Sequence, residues 1–502
     1  MGKITKPETK IERNNWLLSI DQNRWAILMP SDKKKLKIVL YNPRAVFYTM
    51  PLALMALASA LDRDKYEAVL IDARLEKNPQ KTVLEHIQNA FCFGTTILTG
   101  APIIDALKVT EMVKQNNSNI TTIWGGWHSS LFPLGPLEAT SVDISVQGQG
   151  EQTFKEIVER LANGECFDDV QGIAHRPLGL PMKNEKRALI AMNDFPEVDY
   201  ETIPVKSYFE LKGKRQLDYI SSTGCLFRCA FCADPFVYGR KWSAIEPKRM
   251  TEHLFRLWKR YDFDDVNFQD ETFFTYTKRT EEISERLISL GTDFTWAATL
   301  RGDQGSRMTD KQFELCKKSG LRRVMVGVES GSPKMLKQIA KDVTIDQILE
   351  TAEKCIRHDI DAIFPFIIGF PGETDDDVMM SIEMVKTLRS MSPRFETPIF
   401  YYKPYPGLSL DLNGHHTGYS PPTTLSEWAK FDFIGSTGPW VREHTYKMVE
   451  RFKFYNRYAW GSEKEGIGLL RNMSRWRCNN NNFKFPLEKA IIERIFPQQE
   501  LS

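Results

Sequence analysis

Leu217-Asp218-Tyr219-Ile220-Ser221-Ser222-Thr223-Gly224-Cys225-Leu226-Phe227-Arg228-Cys229-Ala230-Phe231-Cys232 decides the reading of this chain. Residues 217–222 read as a strand, and just beyond it three thiols fall within a span of eight residues. Three thiolates hold three irons of a cubane cluster and leave the fourth iron open to another ligand, whereas ferredoxin-type sites use four cysteines. Structural zinc is the competing reading, but zinc asks for four ligands, and the next candidate, His253, lies well downstream. Three of the eight cysteines are clustered and five are scattered. That pattern predicts a metal or redox site in a reducing, cytoplasmic setting, not a disulfide framework.

On both sides of this segment, apolar runs alternate with amphipathic segments of helix length. Strands at 217–222, 265–269, 294–298, 323–328, 360–368 and 394–402 predict a partial or full β/α barrel over residues 215–405. The active site of such a barrel lies at the C-terminal ends of its strands. Upstream, strands at 36–41, 67–71, 95–99, 121–124 and 143–146, with helices at 52–61 and 105–115 among them, predict a doubly wound domain over residues 35–161. The chain is thus expected to be α/β throughout its main body. Residues 1–34 read as an arm carrying Trp16 and Trp25, and residues 162–214, with Pro177, Pro181, Pro196 and Pro204, as a connector. Residues 406–502 read as a helical tail.

Composition narrows the function classes. With 502 residues, 42% hydrophobic and 26% charged, the chain is long enough for two cored domains and has a globular balance. A formal charge of +2 gives no electrostatic footprint for nucleic acid. The longest apolar stretches, 51–61 and 362–371, fall short of the roughly 20 residues of a membrane span. The opening Met1-Gly2-Lys3-Ile4-Thr5-Lys6 has no secretory apolar core, and Lys6 stands where myristoylation asks for Ser or Thr.

Further chemistry-bearing residues recur at barrel strand ends. They are Asp270 and Glu271 after the second strand, Arg301 after the third, Gly327, Glu329 and Ser330 after the fourth, and Gly369-Phe370-Pro371-Gly372-Glu373 after the fifth. Taken singly, the acids also serve as strand-end caps and the glycines as turn formers. Together with the C-x3-C-x2-C spacing and the aromatic Phe231 before the last cysteine, they resemble the radical S-adenosylmethionine (SAM) superfamily. The resemblance implies that Cys225, Cys229 and Cys232 hold a [4Fe–4S] cluster whose open iron is chelated by SAM. It also implies SAM contacts at Phe231, Asp270, Glu271, Arg301, Gly327, Glu329, Ser330, Gly369, Pro371 and Gly372.

The upstream domain carries Ile123-Trp124-Gly125-Gly126-Trp127-His128 and Val146-Gln147-Gly148-Gln149-Gly150-Glu151 at successive strand ends, where doubly wound sheets bind their ligands. Neither G-x-x-x-x-G-K-[ST] nor G-x-G-x-x-G follows a strand, so no phosphate loop is predicted. Residues 37–161 resemble the cobalamin-binding domain that precedes the barrel in one branch of the superfamily. This implies cobalamin contacts at Asn42, Pro43, Phe47, Tyr48, Thr99, Gly125, Gly126, His128, Gln147, Gly148, Gly150 and Glu151. The chain departs from the cobalamin pattern D-x-H-x-x-G, since the loop 42–50 has no histidine. No protein imidazole reaches cobalt from there, which leaves Phe47 or Tyr48 facing the lower side. His128 reads as a hydrogen-bonding turn residue, not a ligand.

For the activity, the resemblance implies methyl transfer to an unactivated carbon: one SAM methylates the corrin, and another yields the 5′-deoxyadenosyl radical that removes a substrate hydrogen. Oxidative cyclisation or rearrangement without methyl transfer shares the same domain pair. A non-catalytic corrin or cluster sensor is the alternative of another class. The implied partners are a small-molecule, lipid or peptide substrate and a flavodoxin- or ferredoxin-type electron donor. Tyr402 and Lys403, at the sixth strand end, are candidate substrate contacts. The tail residues Trp440, Arg442, Arg451, Tyr455, Arg457, Trp460, Trp476 and Arg477 read as a pocket lining or, with more weight, as a packed cap.

Overall fold

The computed structural model describes residues 35–45, 48–405, 419–431, 438–460 and 468–495. The arm 1–34, Phe47 and part of the tail lie outside the described residues. The N-terminal sheet contains parallel β1 (Leu36–Asn42), β2 (Tyr66–Asp72), β3 (Ala90–Thr96), β4 (Thr121–Gly125) and β5 (Ile144–Val146) in the order β2-β1-β3-β4-β5. Two antiparallel strands, β6 (Ile173–His175) and β7 (Met182–Lys183), continue the sheet beyond residue 161, into the segment expected to be a connector. Around it run α1 (Leu52–Ser59), α2 (Pro79–Ile87), α3 (Pro102–Asn116), α4 (Trp127–Leu131) and α5 (Glu151–Asn163).

β3 begins five residues before its expected start at residue 95. It is a central strand, so both faces are buried and its signal is a continuous apolar run without alternation. Gly94 disguises that run. A Cβ there would stand 2.9 Å from Leu40 Cδ2, so the glycine marks close packing and not a strand end. Thr99 consequently lies past the strand, in the loop beyond its C-terminal end.

The second sheet is parallel, built from β8 (Gln216–Tyr219), β11 (Asp265–Phe268), β12 (Thr295–Arg301), β13 (Leu321–Gly327), β14 (Asp361–Ile363) and β16 (Phe395–Glu396). Between β8 and β11, the hairpin β9 (Ser222–Gly224) and β10 (Trp242–Ala244) frames the cysteine loop. The fifth and sixth strands, expected to run unbroken, are each interrupted near a proline, Pro365 and Pro398. The chain resumes as the parallel pair β15 (Phe366–Ile368) and β17 (Ile399–Tyr401). A proline has no N–H for the ladder, so each strand bends there. Glu329 bridges the break, its N–H donating to Pro365 O and its carbonyl accepting from Ile367 N–H.

The two sheets share one core. Met50, Leu52 and Met55 are buried in the same cluster as Leu217, Phe268 and Trp296 of the barrel. Charged groups pin the junction. On β8, Asp218 is 1% exposed; it accepts from Met50 N–H at 2.7 Å and Gln269 Nε2 at 3.1 Å, and it pairs with Lys212. On β2, Asp72 pairs with Arg74 and accepts from Asn42 Nδ2 and Tyr208 Oη, while Arg74 donates to Thr49 O. Both ends of the loop 42–50 are therefore tied down, one end to the barrel.

The tail caps both units. Helix Glu443–Ala459 sends Val449, Phe452 and Tyr455 into the barrel core. Helix Leu425–Trp428 crosses back to the N-terminal sheet, where Leu425 and Trp428 join Ile97, Ile103 and Trp124, and Leu425 N–H donates to Glu138 at 2.7 Å. Among the described residues no helix is long and apolar enough to cross a membrane.

Candidate functional site

The cysteine loop hangs from Gly224, whose φ of +81° and a virtual Cβ 2.3 Å from Lys241 O admit only glycine. Its far side is held by Ala230 N–H on Ile339 O and by the exposed Arg228–Asp342 pair. Burial pushes the Cys225 thiol up to about 11 and raises Cys232 as well, so a bound metal, and not the protein alone, has to make these thiolates. Among the described residues no group of His, Cys, Asp or Glu closes around a single ion. A cubane, which takes each thiolate on a different iron, fits this donor set better than one zinc ion does. His253 is elsewhere, buried and hydrogen-bonded to Tyr219 Oη at 3.1 Å.

A band of charged and aromatic groups faces the loop. Arg301 is 6% exposed, with its guanidinium 3.6 Å over the Phe227 ring and Nη1 3.5 Å from Cys229 Sγ. Asp303 and Lys341 O fix its other nitrogens. Glu329, at a φ of +68°, pairs with Lys341 Nζ at 2.8 Å, and that Nζ lies 5.9 Å from the Phe231 ring. Gly327 is needed for this pair, because a Cβ would stand 2.6 Å from Glu329 Oε1 and 2.7 Å from Lys341 Nζ. Phe231 packs on Phe370, which packs on Tyr402, and Trp440 Nε1 donates to Gly369 O at 2.7 Å. Glu373 closes the Gly369–Gly372 turn by accepting from Gly369 N–H; burial lifts its carboxyl to about 8.

Three of the expected residues also hold the protein together. Both oxygens of Asp270 are engaged by Ser221 N–H, Ser221 Oγ and Ser222 Oγ, so this carboxylate braces β8 and β9. Its neighbour Glu271 accepts from Gly224 N–H at the base of the cysteine loop; burial, then the nearby Asp234, drives it well above the usual carboxylate range. Ser330 is fully buried against Ser381 Oγ at 3.2 Å. Tyr402 is buried in the aromatic packing just described, its hydroxyl unpartnered, and Lys403 is half-buried beside it.

In the N-terminal domain a cavity of about 240 Å³ opens at the strand ends and reaches the barrel. Leu57, Gly148 and Glu151 line one side, Thr223 and Tyr238 the other. Gly148, at a φ of +76°, has no atom within 4 Å of a virtual Cβ, and Gly125 has only Val146 at 3.9 Å, so both leave room for a bulky ligand. Gly150 is closer, 3.2 Å from Leu57. Gly126 is constrained by its own protein: with a φ of +95°, its Cβ would meet Thr96 Oγ1 at 2.6 Å and Ile97 O at 2.7 Å. Gly126→Ala is accordingly expected to destabilise the chain by about 1–3 kcal/mol, read as a lowered Tm.

On the other face of the sheet, His128 Nδ1 meets Thr99 Oγ1 at 3.1 Å, while His128 Nε2 and both amide atoms of Gln147 are buried without partners. Buried polar atoms of this kind ask for a ligand or ordered water. Asn42 is bonded to Asp72, Pro43 follows β1, and Tyr48 is 53% exposed. Burial lowers His128 from 6.5 to about 4. The folded value lies below the unfolded one, so the neutral ring contributes fully above pH 6.5, and that contribution is lost as pH falls toward 4. The Tm of the cofactor-free chain is expected to fall across this window, with a shallower slope in His128→Gln.

Sequence reading missed Phe227, Lys341, Tyr238 and Trp428. Phe227 was within reach, since it sits inside the cysteine motif. Lys341 and Trp428 carry no local signal, because only tertiary folding brings them to Glu329 and His128.

Comparison with known proteins agrees with this geometry. The B12 binding domain model matches residues 40–158 and the Radical SAM superfamily model residues 219–385. An uncharacterised methyltransferase, PH0819 of Pyrococcus horikoshii, is 29% identical over 388 residues, 75% of this chain and 83% of that protein. An anaerobic magnesium-protoporphyrin IX monomethyl ester cyclase of Rubrivivax gelatinosus is 25% identical over 328 residues, 64% of this chain and 59% of the cyclase. The solved structure of the cobalamin-dependent SAM radical enzyme OxsB, with aqua-cobalamin and SAM bound, superposes with a TM-score of 0.63 at 19% identity. That match covers 73% of this chain and 53% of OxsB, so the chain spans about half the length of that enzyme. With both domain models matched in order, the chain belongs to the branch of the radical SAM superfamily that carries a B12 binding domain before the barrel, and its cofactors are SAM, a [4Fe–4S] cluster and cobalamin.

Proposed function

We propose that the protein is a cobalamin-dependent radical SAM methyltransferase acting on an unactivated carbon. The observation that supports this reading is the cavity that runs from the strand ends of the B12 binding domain to Thr223 and Tyr238 of the barrel, beside the hairpin from which the cysteine loop hangs. When bound, the cofactors supply a 5′-deoxyadenosyl radical and a transferable methyl group.

The chain's own residues hold and orient. Cys225, Cys229 and Cys232 take three irons. Glu271, Arg301, Glu329 and Phe231 form a band for SAM, with the Gly369-Phe370-Pro371-Gly372 backbone on its aromatic side and Asp270, Gly327 and Ser330 bracing from behind. Gly125 and Gly148 leave space for the corrin, with Gly150 and Glu151 beside them, while Gln147, His128 and Thr99 stand behind the cavity lining. With no histidine in the loop 42–50, that loop would offer a bound corrin no imidazole. Tyr402 and Lys403 border the substrate side. The enzyme works in the reducing cytoplasm on a small-molecule, lipid or peptide substrate, with a flavodoxin- or ferredoxin-type donor.

Anaerobic reconstitution with iron, sulfide and hydroxocobalamin, followed by SAM and a strong reductant, tests the reading. S-adenosylhomocysteine that forms only when corrin is retained, beside 5′-deoxyadenosine, is the expected result. 5′-Deoxyadenosine alone, with corrin bound, favours the oxidative cyclase reading, which the similarity to the Rubrivivax cyclase supports. Failure to produce either would overturn both and favour a sensor.

A further inference from the structure

The helix Leu487–Ile495 is built inside out. Its carboxylate Glu488 turns inward, 15% exposed, and accepts from Tyr455 Oη at 2.9 Å and from Arg477. Two of its large apolar residues turn outward: Leu487 is 72% and Ile491 57% exposed, and Phe485, just before the helix, is 83% exposed, while Ile492 is half-buried. Leu487 and Ile491 are one turn apart and Arg494 continues the same face. Exposed Lys484 stands at the other end, so a basic group flanks the stripe on each side. In the neighbouring helix Gly468–Asn479, Leu469 and Trp476 are seven residues apart, share a face and are also exposed. Arg477 ties the two helices, bonding Glu488 and Phe485 O.

A helix on a water-facing surface puts its charges out and its leucines in. The reverse arrangement, sustained over two joined helices, marks a surface made to meet an apolar partner. The charge identifies which one. Residues 468–495 hold six basic side chains against two acidic ones, while the whole chain has a net charge of only +2, so the remainder is net negative. Exposed Leu, Ile, Phe and Trp bordered by Lys and Arg compose a helix that lies in a membrane interface, and anionic headgroups attract such a surface.

We propose that this helix pair docks the protein peripherally on an anionic phospholipid surface. Phe485, Leu487, Ile491 and Trp476 enter the headgroup boundary, and Lys484 and Arg494 meet lipid phosphates. The docking surface shares no residue with the cofactor site and stands or falls independently of it.

Flotation of the full-length chain tests this, using vesicles of equal parts phosphatidylcholine and phosphatidylglycerol beside pure phosphatidylcholine. The parent is expected to float with the anionic vesicles and not with the neutral ones, and to lose binding as salt is raised. The pairs Leu487→Ser/Ile491→Ser and Lys484→Glu/Arg494→Glu should each weaken binding by at least about tenfold. Circular dichroism and Tm should stay those of the parent, since all four side chains point outward. The proposal is overturned if the parent ignores anionic vesicles, or if the variants bind as the parent does. It is equally overturned if light scattering finds a dimer that Leu487→Ser/Ile491→Ser converts to monomer, because a second copy is then the occupant.

Discussion

Cys229→Ala is expected to lower bound iron from about four per reconstituted chain to near background and to abolish reductive cleavage of SAM, while corrin retention is unchanged. The chain offers three thiolates to the cluster and no spare. Cys92, Cys316, Cys355 and Cys478 are buried elsewhere in the folded cores, and the fifth, Cys166, is exposed just past the helix Glu151–Asn163 of the first domain, outside the cysteine loop. Cys229 is the most enclosed of the trio at 8% exposure and the one beside the Arg301 guanidinium. Its loss therefore also leaves that cation without an anionic neighbour on the loop. Iron analysis, the charge-transfer absorbance of the cluster and chromatography of 5′-deoxyadenosine check the prediction. Cys478→Ala, as control, should retain the cluster. A Cys229 variant that keeps both iron and SAM cleavage would remove it from the ligand set.

The second large effect lies at the junction of the two sheets. Asp218→Ala removes the acceptor of the Met50 N–H and leaves Lys212, whose side chain is 6% exposed, as an unpaired buried cation. Breaking such a pair from one side costs about 3–5 kcal/mol, and an orphaned buried N–H adds to the loss. Chemical denaturation should show a midpoint shift of that size. Lys212→Met should be comparably harmful, since it leaves the Asp218 carboxylate unpaired. In Asp218→Ala/Lys212→Met the loss should be smaller than the two single losses combined, the signature of coupled sites. Asp218→Asn, which keeps an oxygen for Met50, should be milder than alanine.

Much of this was legible from the residues, for identifiable reasons. The cysteine loop and the strand-end residues of the barrel are short-range patterns, and a parallel β/α series places each strand end on one rim. Asp270 and Ser330 were read at the right strand ends, without the protein partners that hold them. Nothing local says that Ser221 and Ser222 saturate one carboxylate, or that Ser381 takes up the other residue's hydroxyl. The third strand was placed late because a doubly buried strand does not alternate and Gly94 looks like a break. The interrupted fifth and sixth strands are carried by Pro365 and Pro398, which were visible, although the Glu329 bridge that rejoins them is tertiary. Lys341 and Trp428 stayed hidden because partner choice across long separations leaves no periodicity to find.

The return of helix Leu425–Trp428 to the first sheet has a consequence for biosynthesis. The face made by Ile97, Ile103, Trp124 and Val142 is complete once residue 142 has left the ribosome, yet its cover is translated almost three hundred residues later. At about 5–20 residues per second, that interval is on the order of tens of seconds. Throughout it His128, which ends packed against Trp428, remains uncovered. Until then the first domain carries an open apolar face, and association of unfinished chains through it is the hazard of that interval.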